Sequence, residues 1–298
     1  MTTAPDFPPA RHVVRDLGYT SQRICDDRHA AVAQVPSGLR DRARLPSVAG
    51  LAILADAVAA VAVLPAAQPD WTATANLGLH LTGRTAARAV VVDARVVRAG
   101  ARLVTARVTI HDAGAMGPDG VLDELLRAPA DPYPGVLVAE ALVSFVRMPA
   151  SRSRARDTDI ELMSARRVVE SASPAEGSLA ERVGVRTIDG DRGLVEVDAV
   201  EYVGNSMGSI TGGVHVLAMQ AATESVDRRI AASGVDIWFL APAKMGPIRA
   251  SATQLRGSTS NGVCSVEVTD EGAGQLVSVG TVGFDLLGDP TNGGSAPS

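Results

Sequence analysis

One acid stands alone in an apolar run. Residues 48–64 read VAGLAILADAVAAVAVL, and Asp56 is the single charge among them, with no lysine or arginine in the run to pair with it. Burying an ionised carboxylate without a partner is costly, so such a group shifts its pKa or is kept for a purpose. A carboxyl of that kind can take a proton from water or attack an electrophile. Asp56 is therefore the candidate catalytic residue, as general base or as nucleophile. The structural alternative is a helix residue satisfied by a neighbouring hydroxyl.

The other chemistry-bearing residues are less directed. Cys25 and Cys264 lie far apart and match no metal spacing, which fits a reduced pair; no metal and no cofactor are expected. His80 and His111 fall in extended segments and read as structural. His215 reads as a core or interface residue. Arg152, Arg154, Arg156, Arg166 and Arg167 could meet phosphates, but a run such as SRSRARDTD reads first as a solvated linker. Arg84, Arg98 and Arg102 are further arginines that could meet phosphates, with no stronger claim.

Composition narrows the class. The chain has 298 residues, 46% hydrophobic and 20% charged, as in a soluble globular protein. A net charge of -5 gives no nucleic-acid signature. Aromatics are only 3%, so Ala, Val and Leu must fill the core. The opening MTTAPDFPPARH has no apolar signal core, so a cytoplasmic protein is expected. The 48–64 run falls short of the ~20 apolar residues that span a bilayer and carries Asp56 near its centre. Pro46 precedes it and Pro65 follows, so it reads as a buried central helix that stops at Pro65 rather than a membrane span.

Strands follow. Residues 71–81, 87–97, 103–111 and 135–148 alternate apolar with small or polar residues, which argues for an α+β fold with the helix packed on an antiparallel sheet. Residues 149–178 break the pattern and mark a boundary. Beyond them the order recurs: a short strand at 195–202, a helix at 212–230, and strands at 235–240, 248–255, 263–270 and 276–286. One helix followed by a strand meander, twice, suggests a tandem repeat at the level of pattern. The expected organisation is a tail at 1–17, domains at 18–149 and 179–288, a linker at 150–178 and a disordered tail at 289–298.

The segments NSMGSITGGVHVLAMQAATE (205–224) and FLAPAKMGPIRASATQL (239–255) resemble the entry to the central helix, and the strand after it, in hot-dog thioesterases of the phenylacetyl-CoA-thioesterase-like superfamily. The first half resembles the same template more loosely, through its helix with Asp56, TANLGLHLTG and VDARVVRAGARLVTARVTIHDA. Together the likeness covers about residues 18–149 and 179–286. It implies a double hot-dog: two antiparallel sheets, each wrapping a central helix, forming an intrachain pseudo-dimer. It also implies an acyl-CoA thioesterase acting on acyl-CoA or acyl-carrier-protein thioesters, with a place in lipid metabolism. Further pairing of such units into a homo-oligomer is left open.

The resemblance assigns roles residue by residue. The family's catalytic acid lies nine positions after a histidine that precedes Gly-Gly; here Thr211 replaces that histidine, and nine positions on stands Gln220. The first half has the acid, Asp56, but Ser47, Val48 and Ala49 where His-Gly-Gly would be, and Asp41 in place of Asn. Thr74, 18 positions after Asp56, takes the place of the water-positioning hydroxyl. Asn205 and Gly212 take those of the amide and the oxyanion-hole N–H, with Gly213 and Thr211 binding substrate. Each half thus keeps a different part, and together they make one site. The plainer alternatives are an ordinary strand residue for Thr74, a turn for Asn205 and helix-cap geometry for the glycines. Thr211 can cap a helix but cannot shuttle a proton, which leaves two further readings: a degenerate acyl-CoA-binding protein and, behind it, a hydratase or dehydratase.

Overall fold

In the computed structural model, residues 9–83, 85–149, 151, 167–169 and 176–288 are described. The long apolar run forms α1 (Val48–Ala67), opened by Ser47, whose Oγ accepts the N–H of Gly50. Apolar residues occupy all its sides because protein encloses most of it. It touches β2 (Arg28–Gln34), β3 (Trp71–Leu81), β4 (Ala89–Ala99), β5 (Leu103–Asp112) and β6 (Leu137–Met148). By length and composition α1 could cross a membrane, yet 72% of its most apolar window is buried within the fold.

The helix does not stop at Pro65 as expected; it carries that proline inside its last turn and runs on to Ala67. Arg147 of β6 secures the extra turn by donating from Nη1 and Nη2 to the carbonyls of Ala67 and Ala66.

The thirteen strands among the described residues form a single sheet. The others are β1 (Tyr19–Cys25), β7 (Val168–Val169), β8 (Arg186–Asp189), β9 (Leu194–Val197), β10 (Ile230–Phe239), β11 (Ile248–Gly257), β12 (Asn261–Asp270) and β13 (Gln275–Leu286). The order is β7-β1-β2-β4-β5-β6-β3-β10-β13-β12-β11-β9-β8. Read outward from the β3–β10 pair, the two halves run through their strands in the same order. The two expected sheets are joined edge to edge into one continuous sheet, with β3 and β10 paired from Asn76↔Trp238 to His80↔Gly234.

The second half carries its own helix after its second strand, Gly212–Val226. In chain order it is α4, after α2 (Pro118–Arg127) and the short α3 (Leu179–Val183). It ends at Val226 rather than continuing to residue 230, and β10 begins at Ile230. α1 and α4 pack on each other beneath the sheet, and one apolar core runs through both halves.

α2 covers the opposite face of the first half. Its Val121, Leu122 and Leu125 bury against Ala30, Val32, Ala89 and Val91. Arg28 is buried at the edge of that cluster and donates from Nε and Nη2 to the Asp93 carboxylate. Residues 12–17, within the expected tail, pack against the second half: Val13 and Leu17 are buried, and the Val13 N–H donates to the Tyr202 carbonyl. Arg84, the arginines at 152, 154, 156 and 166, most of the 150–178 linker and the 289–298 tail lie outside the described residues.

Candidate active site

Asp56 is the ninth residue of α1 and faces β3. There Thr74 donates its hydroxyl to Asp56 Oδ1 at 2.7 Å. The strand bulges between Thr74 and Asn76, and such a bulge redirects the side chains beside it. The carboxylate is half-buried, with its open side turned into a cavity of about 760 Å³. Burial pushes its pKa up to about 6, against the opposing pull of the Thr74 hydrogen bond.

The same cavity is lined by Asn205, Thr211 and Gly212 from the second half. A loop ahead of α4 presents them. Asn205 Oδ1 accepts the N–H groups of Met207 and Ser209 and the Ser209 hydroxyl, a side-chain-built turn that leaves only its NH₂ to act elsewhere. Thr211 is the N-cap residue of α4 by backbone, but its hydroxyl makes no capping hydrogen bond; the Val214 N–H goes to its carbonyl instead.

Gly212 then opens the helix. A Cβ there would lie 2.8 Å from Phe239 Cζ and 3.5 Å from Asp56 Oδ2, so its backbone sits directly beside the carboxylate. The N–H groups of Gly212 and Gly213 have no protein acceptor among the described residues. Gly213, expected to bind substrate, is not among the residues lining the cavity; it packs against α1, since a Cβ on it would run into Ile53.

The reciprocal position is built from different residues. Gln220, ninth in α4, stands where Asp56 stands in α1, and its Oε1 accepts the N–H of Ala49 at 2.8 Å. Its Nε2 donates to Glu224 at 2.9 Å. The bulge of β10 falls between Ala232 and Gly234, with Ala232 opposite Phe284 as Thr74 is opposite Phe145. Ala232 is therefore the counterpart of Thr74 and has no hydroxyl. Asp41 holds the loop that corresponds to Asn205: Leu45 N–H donates to Asp41 Oδ1 as Ser209 N–H does to Asn205 Oδ1.

His215, expected in the core or at an interface, lines the cavity. Three residues after Gly212, it lies on the same helix face, a relation that i, i+3 spacing could have signalled. Lys244, the single lysine of the chain, also lines it and is exposed, with no ion pair among the described residues. His12, Val14 and Tyr19 of the N-terminal segment line it too. No sequence pattern connected these residues to Asp56. His80 pairs with Asp236 at 3.4 Å, and His111 bonds the Gly135 carbonyl at 2.8 Å; neither lines the cavity. Arg98 and Arg102 do not line it either. Cys25 and Cys264 are both free, and among the described residues no cluster of His, Cys, Asp or Glu converges to hold a metal.

No family model matches the chain, and no curated protein matches it by sequence. Solved structures do. The 12:0-ACP thioesterase of Umbellularia californica superposes with a TM-score of 0.57 at 9% identity, over 86% of this chain and 93% of that one. The tesB protein of Mycobacterium avium subs paratuberculosis gives 0.56 at 13% identity, over 90% and 96%. A proposed oleoyl thioesterase of Lactobacillus plantarum gives 0.56 at 11%, over 88% and 96%. At these identities the likeness shows the fold, and it is the hot-dog fold.

Proposed function

We propose that the chain is a cytoplasmic double hot-dog thioesterase that hydrolyses acyl-CoA or acyl-carrier-protein thioesters at one site between its two halves. The observation that carries this reading is the Asp56–Thr74 pair facing the glycine start of α4 across the shared cavity. The names of the structural neighbours point the same way.

In this mechanism the thioester carbonyl oxygen lies against the free N–H of Gly212, at the positive end of the helix dipole. Asp56 takes a proton from a water molecule, and the oxygen of that water bonds to the carbonyl carbon. The carbonyl π electrons move onto oxygen, where the N–H stabilises them. Collapse of this intermediate breaks the C–S bond, and the proton held by Asp56 passes to the departing thiolate. Thr74 fixes the orientation of the carboxylate and holds down its pKa. Asn205, which lines the same cavity, donates its NH₂ to the carbonyl or to the water in this reading. A carboxylate with its pKa near 6 is largely ionised at neutral pH yet still basic enough for the task.

Thr211, in place of a histidine, favours the second reading, a protein that binds acyl thioesters without cutting them. Thiol release from a panel of acyl-CoAs, by wild type and Asp56→Asn, separates the two. Release by wild type that falls in the variant supports hydrolysis. Measurable binding with no release by either supports the binding protein, and equal release by both removes Asp56 from the mechanism.

A further inference from the structure

The first turn of α4 carries a polar pair that the first half lacks. His215 Nδ1 and Ser278 Oγ share a hydrogen bond of 3.0 Å, and both residues are buried. The imidazole packs edge-on against Phe239 at 5.6 Å between ring centres, and the same phenyl ring closes on Gly212.

The sheet registers identify the counterparts. Phe239 pairs with Ser278 in β10–β13 as Leu81 pairs with Ala139 in β3–β6. His215 is the fourth residue of α4, and Leu51 the fourth of α1. Leucine and alanine therefore satisfy the packing at these places in the half that presents no glycine start. Nδ1 of His215 is taken by Ser278; Nε2 has no protein partner among the described residues, and the ring lines the cavity.

Resting on the thioester reading above, we propose that His215 donates a second hydrogen bond to the substrate carbonyl oxygen from Nε2, and that Ser278 is a positioning residue that fixes the ring tautomer. A Ser278 hydroxyl donated to Nδ1 leaves the ring proton on Nε2, toward the cavity. Burial holds the imidazole neutral, with a pKa of about 4, against the raising influence of the Asp270 carboxylate. A neutral imidazole at a helix start can polarise a carbonyl without first acquiring a proton. As the C–S bond breaks, the oxygen regains its double bond and the Nε2 proton stays where it was. The leaving thiolate takes its proton from Asp56, so His215 begins and ends the cycle unchanged.

The test uses His215→Leu, His215→Gln and Ser278→Ala in the full chain. It reads kcat and KM on acyl-CoAs, thermal midpoint and the ¹⁵N shifts of the His215 ring. His215→Leu, which installs the residue found at position 51, is expected to keep the fold and lose ~100-fold in kcat with little change in KM. His215→Gln, whose amide can donate, is expected to recover part of that loss. Ser278→Ala is expected to lose less and to shift the ring toward a mixture of tautomers.

Wild-type kcat in a folded His215→Leu, or a wild-type ring protonated on Nδ1, overturns the proposal and leaves the thioesterase reading standing. If wild type cleaves nothing, an acyl-CoA analogue with methylene in place of the thioester sulfur is titrated instead. A shift at His215 Nε2 on binding then keeps the hydrogen bond while hydrolysis falls. A bound analogue with no shift, or no binding at all, overturns the proposal together with that reading.

Discussion

Gln220 reaches across the contact between the two central helices and accepts the N–H of Ala49 at 2.8 Å. Ala49 is the second residue of α1, the place Gly213 holds in α4. The start of one helix is thus filled by a protein side chain, while the first N–H groups of the other have no protein acceptor among the described residues.

One ligand per chain is therefore expected. Calorimetric titration with a non-cleavable acyl-CoA analogue should give a stoichiometry of one, and a value of two would contradict the asymmetry.

Asp56→Asn should cost activity and add stability. General-base catalysis is worth ~10²–10⁴-fold, so kcat should fall in that range. The sign for folding follows from a folded-state pKa raised from 3.8 to about 6. Stability from this group is full below the unfolded value and is lost as pH rises through about 6. At pH 8 the amide, which needs no ionisation, should therefore stabilise the protein by up to about 3 kcal/mol in urea unfolding.

The rate should show the same titration. kcat/KM is expected to rise with pH through about 6 as Asp56 loses its proton. Thr74→Val removes the hydrogen bond that holds that pKa down, so its acid limb should move to higher pH while kcat drops. An acid limb left in place by Thr74→Val would mean that another group titrates. Single turnover in H₂¹⁸O separates base from nucleophile, since only a nucleophilic Asp56 acquires the label.

The two glycines of α4 should respond differently to alanine. A Cβ at Gly212 meets the tip of a phenyl ring at 2.8 Å and the Asp56 carboxylate at 3.5 Å. The ring can tilt, so Gly212→Ala should fold and lose hydrolysis because the methyl fills the space between base and N–H. A Cβ at Gly213 meets the backbone of Ile53 at 3.0 Å, which cannot yield without parting the helices. Gly213→Ala should lower the thermal midpoint, and unchanged stability there would refute the close packing.

Acid should destabilise the protein through its buried histidines. His29 and His215 have pKa values lowered from 6.5 to about 4 by burial, and neither ring nitrogen of His29 has a partner among the described residues. Between those values the unfolded chain binds protons that the folded one refuses, so stability falls as pH drops from 6.5 toward 4, by up to about 3 kcal/mol per histidine. Asp56, protonating below about 6 in the folded state, offsets part of this loss. Urea unfolding at a series of pH values should show the decline, and His29→Leu should flatten it.

Much of this architecture could be read from residue patterns, and its gaps have physical causes. α1 was visible because an enclosed helix must be apolar all round, but its end was not, since Arg147 satisfies carbonyls beyond Pro65 from a distant strand. β2 escaped because helices cover both its faces, which erases alternation, and because Arg28 and His29 are buried in it. α2 hid behind Gly117, Pro118 and Gly120, although proline at a helix start is itself a starting signal. At the site, Asp56, Thr74, Asn205, Thr211 and Gly212 could be placed in one cavity from spacing and resemblance. Lys244 could not, because its significance depends on what stands across the cavity from it, and His215 was approachable only through its i, i+3 spacing from Gly212.

Both central helices belong to one covalent chain, joined through a sheet that is unbroken at β3–β10. In an assembly of two identical subunits, any substitution is made twice, and a change that closes one pocket closes its twin. Here glutamine at 220 and aspartate at 56 are separate choices. One half can be tuned for firmness and the other for reactivity, and neither has to compromise with its own copy.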